Sequence, residues 1–567
     1  MTAELVGALS PGLILILGAL PVPFLPGIAR KIWMLALPVF AFVHLLGFEQ
    51  GLHGTVVLFD LELTTLRVDR LSQIFGYIFL LAAFLGVLYQ LHVKGWMEQV
   101  AGLVYSGSAI GAAFAGDLVT LFLFWEGTAI SSVFLIWATR TPAALAAGQR
   151  YLIVQVGSGV LLLAGTMIHH AQTGSIAFES FELETLAGML IFLSFGIKCA
   201  FPFLHNWLQD AYPEATVTGT VILSAFTTKL AIYALARGFA GTEILVPIGA
   251  AMTAFPIFYA VIENDLRRVL AYSLNNQLGF MVVGIGIGTE LSISGAAAHA
   301  FCHILYKALL FMSMGAVLFR TGTCKGSELG GLYRTMPWTA AFCAIGAASI
   351  SAFPLFSGFV SKSLIISAAL KGEYYWTWLI LLFASAGVFH HSGIKIPFFA
   401  FFAHDSGMRP REAPINMLAA MAIASVLCVG IGVFPTLLYA ILPYDVTYHA
   451  YTLEHLVTQL QLLIFSALAF TVLMRTGLYP PELKSTNLDS DWLWRKPGAW
   501  AVGGIFRRLL SLLSGLTGQG ARTGARLARA LYDQHGPTGT LARTRPSGSM
   551  ALWMALVLLA FLAFAFL

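Results

Sequence analysis

Apolar runs of roughly 20 residues recur along almost the whole chain, separated by short polar stretches. Runs of that length predict transmembrane helices, because about 20 residues at 1.5 Å rise cross the hydrocarbon core. Sixteen spans are expected, near 4–26, 32–48, 71–91, 98–115, 118–138, 149–169, 187–207, 217–236, 245–262, 269–288, 292–319, 337–370, 375–402, 416–440, 456–474 and 549–567. The run 337–370 is too long for one simple helix and holds Pro354 and Gly358, so a broken helix is expected there. Pro202 marks a second candidate break inside 187–207. Short alternating segments of the kind that build a membrane barrel are not evident.

Composition agrees. Of 567 residues, 58% are hydrophobic and only 10% charged, well below the roughly 25% of soluble domains. Five scattered cysteines form no CxxC pair, so neither a disulfide framework nor an iron–sulfur or zinc site is signalled. Glycine-rich nucleotide motifs are missing, and no cofactor or nucleic-acid partner is expected. The first apolar run lacks a basic flank and a small-residue cleavage site, and is read as a retained helix.

Lysine and arginine sort by side. With the N-terminus outside, 23 fall on inner loops and 4 on outer ones, with five lysines inside spans. The polar stretch 484–548, with Arg507, Arg508, Arg522, Arg526 and Arg529 among leucines and alanines, is expected to lie as a basic amphipathic segment on the inner surface. The inner membrane of the cell is the expected location.

The five in-span lysines are Lys198, Lys229, Lys307, Lys362 and Lys395. Each costs about 2.5–3.5 kcal/mol at a helix centre on insertion scales, so each must face protein or water and be paired or neutral. Glu126, in LFLFWEGTAIS, is the one acidic residue placed in mid-membrane, and a Glu126–Lys198 ion pair is the expected neutraliser. A buried lysine beside a movable counter-charge can load and release a proton. A static salt bridge that fixes helix packing is the competing reading. His299, His303 and Lys307 follow an i, i+4, i+8 spacing, one stripe of titratable groups about 12 Å long. Such a stripe suits proton relay; with no carboxylate or cysteine to complete a ligand set, it does not suit a metal. Lys198 lies four residues before Pro202, and Lys362 follows Pro354 and Gly358. Lysines recur 31 and 33 residues later, at Lys229 and Lys395. Two five-span repeats of this kind would be inverted, as in many transporters.

In order, FLFWEGTAIS, FGIKCAFPFLHNWLQDAYPEA, FTTKLAIYALARG, ENDLRRVLAYSLNNQLGFM, HAFCHILYKALLF and FPLFSGFVSK resemble the antiporter-like subunits shared by Mrp-type multisubunit cation/proton antiporters, respiratory complex I and membrane-bound hydrogenases. The resemblance implies an all-α polytopic fold: a fourteen-helix core of two inverted five-helix repeats with broken helices, plus a C-terminal amphipathic segment and an extra transmembrane helix. It implies the division 1–97, 98–240, 245–403, 404–480, 484–548 and 549–567. It assigns Glu126 to the family's fifth-helix glutamate, Lys198 and Lys229 to the seventh- and eighth-helix lysines, His299, His303 and Lys307 to the eleventh-helix cluster, and Lys362 to the broken twelfth helix. Ser224 with Lys229 is similar to the D-type chain of an Mrp antiporter or to the middle antiporter-like subunit of complex I, and the latter usually carries glutamate where this chain has Lys362. Ala215-Thr216-Val217-Thr218-Gly219-Thr220 departs from the usual A-P-x-P-V-S at the mouth of helix eight. The resemblance therefore implies a proton-translocating transporter subunit, not itself an enzyme, carrying protons and a monovalent cation beside other membrane subunits in the lipid bilayer. The alternatives are a subunit of a redox-driven complex, a gradient-coupled uptake system, or a scaffold with inert ion pairs.

Overall fold

Side-chain caps set the helix starts. In the computed structural model, which describes residues 9–58, 60–480, 482–483, 487–501, 503–505, 520–535 and 547–565, Asp69, Asp117, Thr141, Thr185, Thr216, Asp265, Thr289 and Thr452 each accept a hydrogen bond from a backbone N–H of the helix they begin. Two N-terminal helices, α1 (Pro11–Ala19) and α2 (Gly27–Leu46), precede a β-hairpin of β1 (Gly51–Leu58) and β2 (Leu61–Val68), antiparallel with Gly51 opposite Val68. The hairpin was not anticipated: its alternating Leu-Glu-Leu-Thr-Thr-Leu-Arg-Val run is short and sits in a polar connection. Then come α3 (Arg70–Gln90), α4 (Trp96–Ala113), α5 (Leu118–Trp137), α6 (Pro142–Thr173), α7 (Leu186–Cys199), α8 (Asn206–Ala211), α9 (Val217–Ala225) and α10 (Thr227–Gly238). The chain continues through α11 (Leu245–Ile262), α12 (Leu266–Ile287), α13 (Glu290–Thr321), α14 (Pro337–Ile350), α15 (Ser357–Lys371) and α16 (Tyr375–Val388). After α16, wide helical turns run over Phe389–Lys395 and Phe398–Phe402. Last come α17 (Ile415–Val433), α18 (Leu453–Thr476), α19 (Gly520–His535) and α20 (Ser547–Ala565).

Among the described residues, ten helices are long and apolar enough to cross a membrane, and three shorter apolar ones accompany them. Large apolar side chains such as Phe40, Phe383, Phe465 and Trp553 point outward, while polar and charged groups are buried within. That inversion suits a lipid surround. The loops collect on two faces. On one, Arg67 donates to the Phe178 carbonyl, Phe181 N–H to Gly238, and Arg70 pairs with Asp445. On the other, Thr139 bonds Glu214, Arg267 bonds Pro213, and Asn264 bonds Ser327.

Matching landmarks recur. Asp117 and Asp265 cap α5 and α12; α6 and α13 are both 32 residues long and end at left-handed Gly174 and Gly322; bridges join Asp117 to Ala177 and Asp265 to Lys325. Each of these pairs is 148 positions apart. Both expected breaks are present. After α7, Ala200 and Phe203 take φ of 62° and 66°; after α14, Ala352 and Leu355 take 56° and 74°. Both breaks read Ala-Phe-Pro, 152 positions apart, and a left-handed non-glycine residue costs about 1–3 kcal/mol that surrounding packing must supply. These landmarks pair Lys198 with Ile350, not with Lys362 as the lysine spacing suggested.

Arg526 and Arg529 are exposed on α19 with Ala528 turned inward; Arg507 and Arg508 lie outside the described residues, as does the side chain of Arg522. The final helix rests beside α5 and α6, where Met550, Trp553 and Met554 face Trp137, Leu152 and Ile153.

Candidate functional site: a buried polar row

Lys198 ends α7, where exposed carbonyls favour a cation. Its Nζ donates to the Trp125 carbonyl at 2.6 Å and the Thr128 hydroxyl at 2.8 Å, and lies 4.3 Å from the Trp125 ring centroid. Glu126 is the next residue on α5, yet neither carboxylate oxygen accepts a hydrogen bond or ion pair from any described residue. The expected ion pair is therefore not formed: the ammonium is held by the backbone and hydroxyl acceptors on either side of the glutamate. The carboxylate lies against Gly159 of α6, where an added Cβ would overlap Oε1.

Lys229 follows an irregular Phe226 between α9 and α10, and its Nζ donates to the Ser224 carbonyl at 2.6 Å and Thr228 Oγ1 at 3.2 Å. On α13, the rings of His299 and His303 are 6.2 Å apart by centroid. His299 Nδ1 bonds Ser361 Oγ at 3.0 Å and its Nε2 bonds Tyr306 Oη at 3.3 Å; Tyr306 in turn donates to Gln277. His303 and Lys307 are fully buried, and their nitrogens have no hydrogen-bond partner among the described residues. Buried groups in that condition are rare and point to function.

Lys362 reaches back across the second break to donate to the Ile350 carbonyl at 2.7 Å, placing an ammonium at the end of α14 as Lys198 places one at the end of α7. Lys395 closes the row on the wide turn after α16, donating to Val261 and Glu263 carbonyls at 2.6 Å each and facing Glu482 at 2.9 Å. All eight expected residues are 0–3% exposed. The stripe, the breaks and the lysines thus share one interior.

Two buried titratable residues beside this row were missed. His391 is fully buried, four residues before Lys395, and bonds Ser392, which bonds Ser273; the i, i+4 spacing was a usable signal. Glu482 follows α18 and carried no local signal. Among the described residues no His/Cys/Asp/Glu group is arranged to hold a metal.

Residues 115–389 match the family described as NADH:quinone oxidoreductase/Mrp antiporter, TM. The D subunit of the Na(+)/H(+) antiporter of Alkalihalophilus pseudofirmus is 32% identical over 350 residues, 58% of this chain and 70% of that protein. Hydrogenase-4 component B of Escherichia coli is 27% identical over 435 residues, 65% of this chain and 63% of that one. Among solved structures, the Mrp complex from Dietzia sp. gives a TM-score of 0.68 at 22% identity, covering 77% of this chain and 96% of that chain. The archaeal membrane-bound sulfane sulfur reductase gives 0.70 at 23%, covering 98% and 99%. At these identities the two structures speak for the fold.

Proposed function

This chain belongs to the NADH:quinone oxidoreductase/Mrp antiporter transmembrane family, and from that premise we propose that it is the proton-translocating, D-type subunit of a multisubunit cation (Na+ or K+)/proton antiporter. The observation that carries the proposal is the set of buried titratable side chains Glu126, Lys198, Lys229, His303, Lys307, Lys362 and Lys395. Six charged side chains in one apolar protein are too costly to serve packing alone. The similarity to the D-type chain of a sodium/proton antiporter supports the antiport half of the reading. Its place is the inner cell membrane, N-terminus outside and the face bearing Lys395 and Glu482 cytoplasmic, beside other membrane subunits.

The geometry supports a sequence of local moves. Lys198 leaves the Trp125 carbonyl and Thr128 and swings to the neighbouring Glu126 carboxylate, shifting the field felt by Lys229. A proton arriving at Lys229 passes to His303 and Lys307, whose nitrogens are uncommitted, and then to Lys362 and Lys395.

The match to a hydrogenase component supports a second reading, the same proton path driven by redox partner chains. The test of the first reading uses inverted vesicles holding the complete complex. Sodium or potassium should dissipate a respiration-generated ΔpH, and Glu126→Ala or Lys198→Ala should abolish that response with assembly intact. An unchanged response in both variants overturns the proton-path reading, and co-purification with quinone- or hydrogen-reacting chains transfers it to the redox reading.

A further inference from the structure

After α18 the chain does not leave the protein. It runs along the face that carries the ends of α7 and α11, binding both halves as it goes. Glu482 faces Lys395; Asn487 donates to Glu263 Oε2 at 3.2 Å; Asp489 Oδ2 accepts from Tyr272 Oη at 2.9 Å and pairs with His205 Nε2 at 3.2 Å. Ser490 donates to Asn206 at 2.7 Å, and Arg495 reaches Asp210, which Arg150 also holds. Residues 482–483 and 487–495 thus form a strap from Lys395 to the segment after α7.

The Lys395–Glu482 end differs from the rest. Lys395 is fully buried and its other acceptors are carbonyls of α11 and the turn beyond it. The Glu482 side chain is 7% exposed and accepts no hydrogen bond beyond its ion pair among the described residues. A carboxylate kept for structure alone is ordinarily saturated with donors. Glu482 also lines a crevice of about 360 Å³ that opens beside Gly326, Ser327, His404 and Tyr479, all on the same face. It therefore stands between a buried ammonium and the surface.

Resting on the proton-path reading above, we propose that Glu482 is the proton-exchange group between Lys395 and the aqueous face, so that the strap completes the outlet beside Lys395. In the outward step Lys395 Nζ–H gives its proton to Glu482 Oε1, leaving a neutral amine and a neutral acid. The acid turns to the crevice, releases the proton to water and returns as carboxylate; uptake runs in reverse. Burial pushes the Glu482 carboxyl up and Lys395 opposes it, with Glu263 adding to the rise, which brings a carboxyl toward the pH at which it exchanges protons best. The other titratable groups facing it are Tyr479, His404, and His390 stacked on Tyr479.

The experiment compares Glu482→Gln, Glu482→Asp and Lys198→Ala in vesicles holding the complete complex. A Ser490→Cys/Asn206→Cys disulfide reports whether the strap is docked. The expected result is an E482Q proton flux reduced at least about tenfold, about 1.4 kcal/mol of barrier, with the cross-link still forming, a flattened pH profile and partial recovery in E482D. Should E482Q undock the strap, the measurement is repeated with the strap cross-linked in place, and loss is again expected. Wild-type flux and pH profile in docked E482Q, while K198A is inactive, overturns the role of Glu482 alone. Wild-type flux in K198A as well overturns the proton-path reading instead.

Discussion

The carboxylate of Glu126 occupies the space that a side chain at Gly159 would fill. Glycine in the middle of a 32-residue helix costs stability relative to alanine, roughly 0.5–1 kcal/mol, so its presence here is explained by what it admits. Gly159→Ala should displace the carboxylate and lower proton flux at least about tenfold while the complex still assembles. Gly157→Ala, on the same helix with open space around it, should leave flux unchanged. Flux in inverted vesicles, alongside subunit content, checks both.

Thr128 supplies the side-chain acceptor for Lys198. A hydrogen bond to a charged group contributes about 1.5–3 kcal/mol. Thr128→Val should therefore change flux roughly tenfold or more, whereas Thr128→Ser should behave nearly as wild type. Initial rates at matched expression separate the two outcomes.

Arg267 is buried and donates to the carbonyls of Pro213, Ala215 and Thr216 and to the Thr220 hydroxyl. Here lies the stretch Ala215–Thr220, which departs from the family pattern; Thr216 and Thr218 also donate to Glu98. A lysine has one ammonium and cannot span these acceptors. Arg267→Lys should destabilise the solubilised protein by about 1–3 kcal/mol, read as a lowered Tm.

Asp69 caps α3 and pairs with Arg237 and Arg67. Burial pushes its carboxyl up, but Arg237 and the Ser72 N–H outweigh this and hold it below the usual value of 3.8. A lowered carboxylate contributes stability above its unfolded pKa and loses it as pH falls through the folded one. Asp69→Asn keeps a capping oxygen but loses the charge that Arg237 and Arg67 hold, so it should lower Tm by an amount equivalent to about 1 kcal/mol, constant between about pH 5 and 8. That difference should narrow only below about pH 4, the unfolded carboxylate range; a difference that grows on acidification contradicts the assignment.

The spans were legible because a bilayer demands apolar runs of fixed length, and both breaks because Pro202 and Pro354 interrupt them. The His299–His303–Lys307 stripe followed from helical spacing alone. What escaped has a common cause: contacts made by distant segments or by the backbone. Lys198 prefers the Trp125 carbonyl and Thr128 to Glu126, a choice set by how α7 meets α5. Glu482 meets Lys395 only because the chain after α18 folds back over the face. The hairpin escaped because eight alternating residues inside a loop are a weak signal against spans of twenty.

The two breaks are alike in backbone but opposite in ownership of their charge. Lys198 belongs to the helix before its break and would travel with the carbonyl end it neutralises; Lys362 belongs to the helix after its break and reaches back to Ile350. Bending at the first hinge would keep Lys198 on its own helix while its acceptors, Trp125 and Thr128, stay on α5. Bending at the second would draw Lys362 and Ile350 apart, like a plug pulled from its socket.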